Sequence, residues 1–130
     1  MTKTVLEADL RHILRDVRRF PSGTVSFCEF ARGGDAGLPD CWLAGRNQWL
    51  PLELKRGGSV LKGLRPTQHA WHRDSLELGI KTWGLTIASN TKKVLLFEFV
   101  LVNGQLNEAL LQSFEPQDVK YSTIVAAIPL

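Results

Sequence analysis

Apolar residues Leu6, Leu10, Ile13, Leu14 and Val17 recur at helical spacing, so residues 4–19 are predicted to form an amphipathic helix. It ends at the breaker cluster Phe20-Pro21-Ser22-Gly23. Residues 24–30 are rich in strand formers, and a glycine-rich loop follows from Arg32 to Pro39. Two short strands, about 40–44 and 49–55, are joined through Gly45-Arg46-Asn47-Gln48, which reads as a hairpin turn. Gly57-Gly58-Ser59 opens a flexible loop to Arg65, and Pro66 suits the first turn of a helix over 66–78, with Gly79 as its stop. Strands are expected at about 81–88 and 93–102, the second broken by Asn103-Gly104. Residues 105–114 look helical up to Glu115-Pro116, and 118–128 suit strand and helix alike. The resulting order, α-β-β-β-α-β-β-α, describes an α/β domain with helices flanking a central mixed sheet.

Composition narrows the class without naming a function. A chain of 130 residues fits one domain, and 44 % hydrophobic with 22 % charged residues is ordinary globular usage. No apolar run approaches ~18 residues, and the N-terminus turns polar before a signal-peptide core develops, so a soluble, cytoplasmic protein without membrane association is expected. Cys28 and Cys41 lack zinc or redox spacing and read as buried free thiols of a reducing compartment. His12, His69 and His72 form no His-Glu-x-x-His motif, and surface or packing roles are expected for His69 and His72. The net charge is +3; twelve of the sixteen basic residues and eight of the thirteen acidic ones lie in residues 1–75. A polyanion partner for that half is compatible with this surplus.

The segment from Asp40 to Lys55 carries candidate chemistry. In Trp49-Leu50-Pro51-Leu52-Glu53-Leu54-Lys55, the three leucines share one face of a strand, and Glu53 and Lys55 share the other. If the hairpin turn is centred between Arg46 and Asn47, Asp40 faces Glu53, with Cβ atoms about 4.5–5.5 Å apart. A loop of odd length would break this register. Two adjacent carboxylates suit a hard cation such as Mg²⁺, which takes remaining ligands from water and phosphate. Such a cation polarises a phosphodiester and activates water at neutral pH, and the ammonium of Lys55 would stabilise developing charge. The backbone carbonyl of Leu54 is a further candidate ligand. The same residues also suit a surface hairpin with a cross-strand ion pair, and spacing alone leaves both open.

The ordered set Gly37-Leu38-Pro39-Asp40 and Leu52-Glu53-Leu54-Lys55 resembles the split signature of PD-(D/E)xK nucleases. With Glu7 in the first helix, and Arg65-Pro66-Thr67-Gln68 and Trp71 in the next, the pattern resembles the virus-type replication-repair nuclease domain (VRR-NUC) over residues 5–100. The resemblance implies a restriction-endonuclease-like core in a single domain over 1–130, with 101–130 as a C-terminal extension. It implies cleavage of DNA phosphodiesters with Mg²⁺ or Mn²⁺, on branched, junction or flapped DNA, by a homodimer. By the same resemblance Asp40, Glu53 and Glu7 would bind the metal, Lys55 would be the catalytic lysine, and Gln68 would sit beside the active site.

Helix geometry puts Glu7 at the edge of the apolar stripe, with Arg11, Arg15 and Arg18 continuing outward toward phosphates; a plain Glu7–Arg11 surface pair is the alternative, worth only ~0.3–0.5 kcal/mol. Arg32 in the glycine-rich loop, and Arg56, Lys62 and Arg65 in a mobile basic flap after Lys55, are the other expected DNA contacts. The loop at 31–37 lacks the Gly-Lys-Ser/Thr ending of a P-loop, so no nucleotide cofactor is expected. Trp42, Trp49, Trp71 and Trp83 suit core filling or stacking on unpaired bases. The competing readings are a non-catalytic DNA-binding or phage-type accessory protein on the same fold, and a purely structural interaction domain.

Overall fold

The computed structural model describes residues 25–27, 37–45 and 48–129. Six strands form one mixed sheet in sequential order: β1 (Val25–Phe27), β2 (Cys41–Gly45), β3 (Gln48–Arg56), β4 (Trp83–Ile87), β5 (Val94–Val102) and β6 (Gln105–Phe114). Only the β3–β4 pair is parallel, and the crossover between these strands holds the helix α1 (Pro66–Glu77). A 3₁₀ turn at Leu61–Gly63 precedes α1, another at Pro116–Asp118 follows β6, and α2 (Tyr121–Ala127) comes last. The expected mixed α/β sheet is therefore present. The helix expected over 4–19 lies outside the described residues, as do all but Val25–Phe27 of the strand expected over 24–30.

One expected element is corrected. Residues 105–114 form the edge strand β6, antiparallel to β5. Leu106, Leu110, Leu111 and Phe114 do fall at helical spacing, but the turn before them decides. Asn103 and Gly104 both adopt positive φ (51° and 76°), the geometry of a type I′ turn, whose twist matches that of the strands it joins. The order over the described residues is thus β-β-β-α-β-β-β-α. The tail, open between strand and helix in the sequence, resolves as helix α2.

The sheet has two buried faces. One carries Leu43, Leu50, Leu52, Leu54, Trp83, Leu85 and Leu96 and packs against Val119, Ile124 and Ile128 from the C-terminal segment. On the other, Val60, Phe97, Phe99 and Leu106 form a second apolar cluster with Leu61, Leu64 and Leu76 packed against it. Residues beyond 100 thus contribute a strand and part of both cores. Gly79 (φ +84°) follows the end of α1 as the expected stop. No helix among the described residues is long and apolar enough to cross a membrane.

Candidate active site

The β2–β3 hairpin has the even register on which the pairing of Asp40 with Glu53 depends. Gly45 pairs with Gln48, Trp42 with Pro51 and Cys41 with Leu52. Continued by one residue, that register sets Asp40 against Glu53, and a contact supports the placement: the Leu54 N–H donates to Asp40 Oδ2 at 2.8 Å. The Asp40 carboxylate therefore lies against the peptide that links Glu53 to Leu54. Pro39 explains why. The same register sets it opposite Leu54, where it has no N–H to offer the Leu54 carbonyl, so the ladder stops at Cys41.

Asp40 is also fixed from behind. Gly37 has φ +68°, and a Cβ there would lie 2.3 Å from the carbonyl oxygen of Thr67 in the first turn of α1. Only glycine allows this approach, and it docks the Gly-Leu-Pro-Asp segment onto the helix that covers the site.

Helix α1 buries Gln68, His72 and Ser75, a polar stripe where an ordinary packed helix would show an apolar one. The partner is Glu53, which has no exposed surface. Gln68 Oε1 accepts from the Arg65 N–H at 3.0 Å, which fixes the amide so that Nε2 donates to Glu53 Oε2 at 3.4 Å. His72 Nε2 lies 2.9 Å from Glu53 Oε1. The imidazole is held between Trp71 (ring centroids 5.0 Å apart) and Phe99 (4.4 Å). Burial, helped by the nearby charges of His69 and Lys55, lowers its pKa to about 3. His72 is therefore neutral near pH 7, with Nε2 turned toward Glu53. Sequence reading assigned His72 a surface or packing role; the signal it missed is the i, i+4 spacing from Gln68, which puts both on one helix face.

Lys55 lies on the same sheet face, one pleat beyond Glu53. It is half-buried, and its aliphatic stem runs along Gly63 in the 3₁₀ turn. Its neighbour in the parallel ladder is Thr86. The Thr86 hydroxyl and His72 Nδ1 are both buried without a hydrogen-bond partner. Orphaned polar atoms at such positions mark where water or a ligand belongs.

The segment expected as a mobile basic flap is anchored at its centre. Val60 is fully buried and packs over Gly84, and the Gly57 N–H donates to the Ile87 carbonyl at 3.0 Å. Glu108, reaching across from β6, accepts from the Ser59 hydroxyl and from the N–H groups of Val60 (3.0 Å) and Leu61 (2.8 Å). Arg56, Lys62 and Arg65 stay exposed around this fixed turn. Of the tryptophans, Trp83 is buried, Trp42 and Trp71 meet edge to face at 6.1 Å, and Trp49 is exposed.

Asp40, Glu53, Lys55 and Gln68 are thus brought together with the backbone of Leu54. Glu7, Arg11, Arg15, Arg18 and Arg32 lie outside the described residues. Among the described residues no three His, Cys, Asp or Glu side chains are grouped to hold a metal ion. Two carboxylates and a carbonyl that lacks its ladder partner at Pro39 are nevertheless an all-oxygen set of the kind a hard divalent cation takes, completed by water and phosphate. Cys41 is buried, with its Sγ 3.7 Å from the Leu52 carbonyl oxygen, and Cys28 lies outside the described residues. Comparison with protein-family models, with curated proteins and with solved structures finds no match to this chain.

Proposed function

We propose that this chain is a divalent-metal-dependent deoxyribonuclease with a restriction-endonuclease-like core of the VRR-NUC kind. The observation that carries the reading is the contact of Asp40 Oδ2 with the Leu54 N–H, which sets one carboxylate beside a second at Glu53, with Lys55 one pleat along. Asp40, Glu53 and the Leu54 carbonyl would hold Mg²⁺ or Mn²⁺, which supplies phosphate polarisation and water activation when bound. Gln68 and His72 keep Glu53 in one orientation by occupying two of its roughly four lone-pair sites. Lys55 places a compact positive charge where the phosphate gains negative charge during attack. Arg56, Lys62 and Arg65 offer backbone contacts that fix register without reading sequence. A homodimer would give two such sites, one for each strand.

One observation favours the non-catalytic alternative. Glu53 is wholly buried and already bonded to Gln68 and His72, as in a polar network that serves the fold alone. Nicking of plasmid and four-way-junction DNA separates the readings. We expect cleavage with Mg²⁺ or Mn²⁺ that EDTA stops and that Lys55→Ala and Asp40→Asn each reduce by about 100-fold or more. Binding without cleavage by the wild type would establish the accessory reading. Loss of both would leave an interaction domain.

A further inference from the structure

Strand β3 starts at Gln48, but its pairing with β4 begins only where Leu52 meets Trp83. Beside residues 48–51 the sheet is therefore open on one side. A cleft of about 350 Å³ occupies that gap, lined by Gln48, Trp49, Gly79, Ile80, Lys81 and Trp83. The hairpin decides which backbone groups face it. A two-residue turn makes Gly45 and Gln48 a hydrogen-bonded pair, so the backbone groups of 48, 50 and 52 point to β2. The N–H and C=O of Trp49 point the other way, and among the described residues no backbone group pairs with them. The cleft thus offers a short piece of unused strand edge, with the open rings and side chains of Trp49 (52 % exposed) and Ile80 (50 % exposed) beside it.

Its inner end is closed. Trp83 stands where β4 begins, so a chain laid beside the start of β3 cannot run on and has to terminate there. Charge selects which terminus that is. Lys81 lines the cleft, the Trp83 indole N–H is buried without a partner, and no carboxylate among the described residues lines it. Two donors, one of them cationic, complement a carboxylate and repel a terminal ammonium.

We propose that this cleft docks the C-terminus of a partner protein whose last residue is large and apolar. The peptide adds to the sheet beside β3 through the N–H and C=O of Trp49. Its last side chain packs between the Trp49 ring and Ile80, and its carboxylate is set against the Lys81 ammonium and the Trp83 N–H. No residue of the cleft belongs to the site built on Asp40 and Glu53, so the docking stands apart from the nuclease reading. Arg56, at the far end of β3, lies roughly 23 Å away at about 3.3 Å per residue, so a partner held here leaves the basic turn free.

The test titrates the chain with N-acetylated pentapeptides of glycine and serine that end in leucine. Proton–nitrogen correlation spectra read the Trp83 indole N–H and the backbone amide of residue 49. The free acid is expected to shift both signals saturably. The same peptide amidated at its C-terminus should bind about 10- to 100-fold more weakly, the loss of one charge-assisted contact. Lys81→Ala should weaken the free acid by a similar factor, and Lys81→Arg should restore most of it. Trp49→Ala should weaken it about 10-fold or more. Lys81 and Trp49 are both exposed, and unchanged signals from β5 and α2 show that each variant is folded. No saturable shift at Trp83, or equal binding of the amidated peptide, overturns the proposal. Equal binding of a peptide that carries leucine and aspartate in its interior overturns it as well. Shifts of both signals on concentrating the protein alone would make the cleft an interface between copies, which also overturns it.

Discussion

Replacing Gly37 by alanine tests how the Gly-Leu-Pro-Asp segment is held. Two costs add there. At φ +68° an L side chain meets its own backbone, worth ~1–2 kcal/mol. The new methyl would also sit 2.3 Å from the Thr67 carbonyl oxygen and 2.8 Å from its carbon. Those atoms belong to the helix backbone, so no rotamer relieves the overlap, and overpacking of this kind costs ~1–3 kcal/mol. Alanine also narrows the unfolded ensemble, which returns ~0.4–1 kcal/mol. The expected net loss is roughly 2–4 kcal/mol, a large part of the ~5–15 kcal/mol typical of a domain. Urea unfolding measures it as a lower midpoint at unchanged m-value. Gly79→Ala is the control, since Gly79 has φ +84° but no atom within 4 Å of the methyl that alanine would add, and it should lose only the backbone part, about 1 kcal/mol. Hydrogen exchange of the Leu54 amide gives a second reading, because its acceptor Asp40 is carried by the same segment. A loss no larger in Gly37→Ala than in Gly79→Ala would refute the docking of this segment on α1.

Two further perturbations follow from the same contacts. His72 has a folded pKa of about 3, well below its ordinary value near 6.5, so the unfolded chain binds the extra proton first. Its contribution to stability is fully present above about pH 6.5 and is lost as pH falls toward 3. Unfolding free energy should therefore decline across that window in the wild type, by an amount on the order of 4 kcal/mol if His72 acts alone. In His72→Asn the decline should be much shallower, and equal slopes would refute the neutral buried imidazole. Glu108→Gln should weaken the three hydrogen bonds that hold residues 59–61 and cost ~1–3 kcal/mol. The Val60 and Leu61 amides should then exchange faster while the amides of β3 and β4 keep their protection; unchanged exchange at Val60 and Leu61 would show that Glu108 does not anchor the turn.

Much of the sheet was legible because its signals are local. Alternating Leu50, Leu52 and Leu54 set the buried face of β3, Pro66 and Gly79 bracketed α1, and the hairpin register, conditional on an even loop, came out even. The failure at 105–114 has a physical source as well. Four apolar residues at helical spacing outweighed an Asn-Gly pair whose backbone geometry selects a hairpin. Similarly, the glycines at 57 and 58 suggested a mobile loop. Its anchors, Val60 over Gly84 and Glu108 from a strand some fifty residues later, are contacts that no local pattern contains.

The site was half legible for the same reason, and the missing half is the more instructive. Asp40, Glu53 and Lys55 follow from register, but His72 follows only from asking what a helix lays over a buried carboxylate. Full burial of a Val, Leu, Ile, Phe or Met side chain is worth ~1.5–3 kcal/mol, so a helix that buries Gln68, His72 and Ser75 forgoes stabilisation its neighbours take. Gln68 and His72 instead meet the two oxygens of Glu53, and the histidine gives up its ready protonation to do so. Local consistency of a sequence with its fold breaks most often where chemistry is done. Here the break falls on the segment of β3 whose face beneath α1 carries two ionisable residues, Glu53 and Lys55. That coincidence makes the α1–β3 seam, and not the exposed basic turn, the place where substitutions should separate activity from stability.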